Sequence, residues 1–137
     1  MISTELAQQL DAAGLVWRPR AGDRFTLRSE QLAGEIFTVA DMVVEARDYP
    51  TGTVLAFNGT TEWALDSVQL ADALWLPRED QLRELLGGSF RSLAMPVTGP
   101  FEVVVAIPGQ PERAFRADAA ADAYARAVLA LVRFARG

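Results

Sequence analysis

The chain has 137 residues, half of them hydrophobic and 23% charged, a balance that fits one globular domain rather than a disordered polymer. Its net charge of −5 argues against nucleic acid or an anionic membrane as partner, and no apolar run approaches the length of a membrane span. Cys, His and Lys are all absent, so all thirteen basic residues are Arg; thiolate and Schiff-base chemistry, a P-loop lysine, the usual neutral-pH base and the commonest metal ligands are thereby excluded.

In chain order, Leu6, Leu10 and Ala13 recur at helical spacing, with Ser3 or Thr4 as N-cap and Gly14 beyond the end, which predicts a helix over 4–13. No basic segment precedes it, so a signal peptide is not expected and the chain reads as cytoplasmic. The stretch LVWRPRAGD over 15–23 contains Pro19 and Gly22 and reads as irregular, and Phe25 to Leu27 follows as a short strand.

From Glu35 the period changes to two. Strands are expected over 36–39, 42–47 and 53–57, with a turn at 48–52. Asn58-Gly59 is a strong type I′ hairpin signal, and a tight turn there would place Trp63 opposite Val54. Strand structure is expected to Asp66, then a loop or a single helical turn to Ala73; a helix over 62–73 is the competing pattern.

The best-punctuated element is WLPREDQLRELL over 75–86, closed by Gly87-Gly88. Pro77 suits a first helical position, and Glu79 and Asp80 favour the positive end of the helix dipole. Leu82, Leu85 and Leu86 fall on one face, Gly87 can take the left-handed C′ position, and Trp75 is expected to be largely buried ahead of the helix. Trp75, Pro77, Leu82, Leu85 and Gly87 are thus structural residues. Strands over 90–95, 101–107 and 113–117 come next, and Asp118 is expected to cap a long helix with the stripe Ala120, Tyr124, Ala127, Val128, Leu131 and Ala135. Asp122 and Arg126 are spaced as an i,i+4 ion pair, and Arg133 and Arg136 suit the helix C-terminus. The sum is one α+β domain over 1–137, with antiparallel sheet segments packed against an N-terminal, a central and a long C-terminal helix.

The segments WLPREDQLRELLGG and DAAADAYARAVLALV, together with FNGTTEWALD and VADMVVEAR, are similar to those of a family of short bacterial proteins. Members of that family are sometimes labelled pilus-assembly CpaE-like. The ATPases behind that label need a G-x-x-x-x-G-K loop, and this Lys-free chain has none. The resemblance implies an α+β fold and no assigned activity.

For function, carboxylates are the one acid–base resource. Glu79, Asp80 and Glu84 share the central helix, Asp41 and Glu45 lie close in sequence, and Glu62 with Asp66 are spaced as the solvent face of a strand. First-turn acids are most simply dipole partners, and no D-x-D-x-D-G calcium loop is present, so no metal and no cofactor is expected. The irregular loop is the alternative place for function. Trp17, Arg18, Arg20 and Asp23 combine an aromatic with bidentate donors, the residue types enriched at interface hot spots. The competing reading buries Trp17 in the core and leaves Arg18, Arg20 and Arg24 solvated. The spelling W-x-P-R occurs at both Trp17 and Trp75, which chance explains best. The composition favours a non-enzymatic module that binds a protein partner; the alternative is an Asp/Glu-dependent hydrolase or metal-dependent enzyme. Oligomeric state is left open.

Overall fold

The computed structural model describes residues 1–29, 34–39, 43–49, 52–57 and 67–136, with the backbone alone given for 43–49, 52–57 and 67–69. The fold is α+β. Its elements are α1 (Thr4–Ala13), β1 (Arg24–Leu27), β2 (Phe37–Thr38), β3 (Val43–Tyr49), β4 (Gly52–Phe57), β5 (Ser67–Gln69), β6 (Ala73–Trp75), α2 (Glu79–Leu86), β7 (Phe90–Ala94), β8 (Phe101–Val105), β9 (Arg113–Ala117) and α3 (Ala120–Arg136). Contacts divide the chain into two compact units. Met1–Val16 and Pro77–Gly137 form the first, and Trp17–Leu76, inserted between α1 and α2, forms the second.

In the first unit, Ser3 caps α1 by accepting from the Leu6 N–H at 3.3 Å, and Gly14 ends it at φ 107°, a conformation that a side chain would strain. Strands β7, β8 and β9 form an antiparallel sheet in that order. On β8, Val103 and Val105 are buried while Val104 between them is half-buried, so one sheet face is closed by the helices. Helix α3 packs on β8, β9, α1 and α2. Its first half buries side chains almost all round, because Ala120, Ala121, Ala123, Ala125 and Ala127 allow close approach on every side. Across β8 and β9, Glu102 stands opposite Arg116, whose Nε donates to Oε2 at 2.8 Å.

Helix α2 begins later than its Pro suggests. Arg78, in an extended conformation, is the N-cap, because the Gln81 side chain accepts from its N–H at 2.9 Å. Pro77 is therefore one residue before the cap and fully buried, and with Leu82 it occupies the two positions of a hydrophobic staple. Leu82 and Leu86 are buried, but Leu85, at the edge of the same face, is exposed. Gly87 closes the helix at φ 54°. The Arg78 guanidinium hydrogen-bonds Asp80 at 3.1 Å and holds that carboxyl below its ordinary value. Helix α3 also starts late, at Ala120: the Ala123 N–H donates to the Ala119 carbonyl at 3.1 Å, so Asp118 precedes the cap position. Its stripe ends before Ala135, which is exposed. Asp122 and Arg126 do not face each other as an ion pair; each has a backbone partner instead, the Ser3 N–H at 2.7 Å and the Arg116 carbonyl respectively.

Tyr124 of α3 is buried against Phe90, ring centroids 5.9 Å apart. Burial raises its phenol above the ordinary value of 10, so the neutral form is favoured in the folded chain. A raised folded value contributes stability below pH about 10 that is lost as pH climbs through the folded value. Denaturation midpoints of the wild type should fall more steeply than those of Tyr124→Phe above pH about 10, whereas parallel profiles would refute the assignment.

The second unit holds two antiparallel sheets, β2-β1-β6 and β3-β4-β5. Strands β3 and β4 run to Tyr49 and from Gly52, which are paired, so both strands invade the expected turn at 48–52. Chain also enters strand structure at 67–69, where a loop was expected, and Leu70 to Asp72 form the single helical turn before β6. Val54 faces Gln69, not Trp63: its two neighbours are Arg47 on β3 and Gln69 on β5. The shift of six residues is even, and an even shift preserves the alternation of a strand, so alternation alone cannot choose between the registers. The Asn58-Gly59 turn itself lies outside the described residues.

Candidate functional site

The loop before β1 is built around Asp23. Its carboxylate Oδ2 accepts from the Trp17 indole at 3.0 Å and from the Arg20 N–H at 2.9 Å, and its own N–H donates to the Arg20 carbonyl at 3.0 Å. Gly22 and Asp23 are further tied to Val39, through a Gly22 N–H to Val39 carbonyl bond at 2.6 Å and a Val39 N–H to Asp23 carbonyl bond at 2.8 Å. Trp17 and Asp23 are both buried. Trp17 joins Phe25, Leu27, Val39 and Ala73 in the core of this unit, with Phe37, Leu70 and the half-buried Trp75 packed against it. It therefore offers no flat face to a partner. Arg18 and Arg20 stay exposed, as does Arg24. The loop brings its four singled-out residues together, but divides them: the aromatic and the acid serve the interior, and the two guanidiniums face outward.

The two W-x-P-R spellings have a partial structural counterpart. Trp17 is the first residue of the inserted unit and Trp75 is next to its last, and their rings stack 6.4 Å apart at 9°. The prolines share nothing, since Pro19 is in the loop and Pro77 precedes a helix.

Among the described residues, carboxylates do not assemble into a centre. Glu79, Asp80 and Glu84 are exposed on α2, and among the described residues no group of three Asp or Glu could hold a metal ion. Asp41, Glu62 and Asp66 lie outside the described residues, and of Glu45 the backbone alone is described.

A different site appears in the first unit, where α1, β9 and α3 enclose a half-open groove of about 570 Å³. Ser3, Glu5, Leu6 and Gln9 line one wall, Arg113 and Phe115 another, and Asp122, Arg126, Leu129, Ala130 and Arg133 the third. Its volume lies in the range of ligand-binding clefts. Three guanidiniums reach it. Arg113 lies over the Phe115 ring at 4.8 Å, and Arg126 donates one Nη1 bond to the Arg116 carbonyl. Among the described residues, neither Arg113 nor Arg133 has a carboxylate or carbonyl partner. The two acids are otherwise engaged: Asp122 accepts from Ser3, and Glu5 stands in the first turn of α1, where the dipole favours it. Guanidinium groups stay ionised at any physiological pH and bind carboxylate or phosphate oxygens in pairs. Ser3 is spent on the helix cap, so the groove holds donors without a nucleophile beside a base.

Along α1 and α3 the groove continues into a second hollow of about 380 Å³ lined by Gln9, Ala12, Ala13, Arg133 and Arg136, with Gln9 and Arg133 common to both. Arg136 caps α1 there, donating to the Ala13 carbonyl at 2.5 Å. The sequence contains one sign of this site, the seven-residue spacing of Arg126 and Arg133, which puts both on one face of α3. The spacing is legible as a pair of solvated charges, and the wall supplied by β9 and α1 is tertiary.

Comparison with protein families, with curated proteins and with solved structures finds no match for the chain.

Proposed function

We propose that the protein is a non-enzymatic binding module of the bacterial cytoplasm that captures an anionic partner in the α1–β9–α3 groove. One observation carries the reading: three arginines line a hollow of ligand size on a chain whose net charge is −5. Against Glu5 and Asp122, the two carboxylates that share the lining, the three guanidiniums leave the groove net positive on an acidic protein. The lack of His, Cys and Lys supports binding over catalysis, because the groove's guanidiniums hold and orient a ligand without moving a proton and Asp122, one of its two carboxylates, is engaged by the Ser3 N–H. No helix of the described residues is long and apolar enough to cross a membrane, which accords with the proposed location.

Titration calorimetry with polyglutamate tests the reading. Saturable binding is expected, weakening as ionic strength rises, and Arg113→Gln with Arg133→Gln should lower affinity at least tenfold, equivalent to about 1.4 kcal/mol. A charge-matched pair outside the groove, Arg24→Gln with Arg91→Gln, should change it less than twofold. No saturable binding at millimolar polyglutamate would overturn the proposal.

A further inference from the structure

Resting on that reading, we infer that the groove takes an extended acidic peptide of a partner protein, with two carboxylate side chains three residues apart and an apolar residue between them. Arg126 and Arg133 both line the groove and are seven residues apart on α3, about two helical turns, so their Cα atoms lie on one face about 10 Å apart. Two carboxylates carried on one chain at a similar spacing can each meet one of the two side chains. A polyproline II segment repeats every three residues at 3.1 Å rise, so its side chains i and i+3 share a face about 9 Å apart. A β-strand fits less well, since its shared-face spacings are about 7 or 13 Å. Leu129 and Ala130, which lie between the two arginines in sequence, line the groove together with Phe115, and these apolar groups suit an uncharged residue between the acids. The continuation past Arg133 to Arg136 makes the site a trough rather than a pit, which favours a chain over a compact metabolite. Arg126 keeps free donors after its bond to Arg116, because guanidinium carries five N–H groups.

The test uses the whole protein and three labelled octapeptides of equal length, read by fluorescence anisotropy. One carries Glu at positions 3 and 6 with Leu at 4; one has the same composition with Glu at 3 and 4; one has Gln in place of both Glu. The first should bind at least tenfold more tightly than the second, the third should not bind measurably, and Arg133→Gln should abolish the preference for spacing. Equal affinity of the two Glu peptides would overturn this inference while leaving anion capture intact. If neither binds and polyglutamate also fails, both proposals fall. Displacement of the first peptide by a single-stranded octanucleotide at lower concentration than by unlabelled peptide would likewise overturn it, in favour of a nucleic-acid ligand.

Discussion

Replacing Trp17 with alanine should cost about 3–5 kcal/mol, the range for truncating a large buried aromatic. Trp17 is buried, its ring lies 5.5 Å from Phe25 and 6.4 Å from Trp75, and its indole N–H satisfies a buried carboxylate. Truncation removes the ring and also withdraws one donor from Asp23, a charged group that is costly to leave short of partners. Trp75 provides the contrast. It is half-buried, and its Nε1 is enclosed with no hydrogen-bond partner among the described residues. Trp75→Phe, which deletes that unsatisfied donor and keeps most of the ring, should cost under about 1 kcal/mol, less than Trp17→Phe. Urea denaturation of the three variants decides the matter. A loss under 1 kcal/mol for Trp17→Ala would mean that the loop is not anchored through its indole.

The second large effect is in α2. Leu82 is 0% exposed and Leu85 39% exposed, although both were expected on one apolar face. Leu82→Ala should destabilise by about 2–5 kcal/mol through lost transfer energy and the cavity left behind. Leu85→Ala should stay within about 0.5 kcal/mol, as surface changes do. Similar losses for the two would show that the helix is rotated about its axis relative to the structure.

Much of the fold was legible where local chemistry decides. The Ser3 cap and the Gly14 stop define α1 at the residues expected, β8 begins at the expected Phe101 and β9 keeps its expected bounds, because a cap, a glycine and a run of strand formers act within a few residues. Helices α2 and α3 start after Pro77 and Asp118 rather than at them: a proline is compatible with several positions around a helix start, and the side chain of Gln81 selects among them. The register of β4 was beyond the reach of pattern, since an even slip preserves the faces. At the sites, composition pointed to Trp17, Arg18, Arg20 and Asp23 as a surface, and the indole–carboxylate bond turned half of them inward. No local rule joins a terminal helix, an edge strand and the last helix into one groove. Arg113, Arg126 and Arg133 therefore looked like unrelated surface charges.

The most direct measurement of the central claim is the amide spectrum of the isotope-labelled protein during titration with the peptide bearing Glu at positions 3 and 6. Shift changes should concentrate in residues 3–13, 113–117 and 122–136 and saturate together with the anisotropy signal. Changes centred instead on residues 17–24 would assign binding to the exposed Arg18 and Arg20 and contradict the groove.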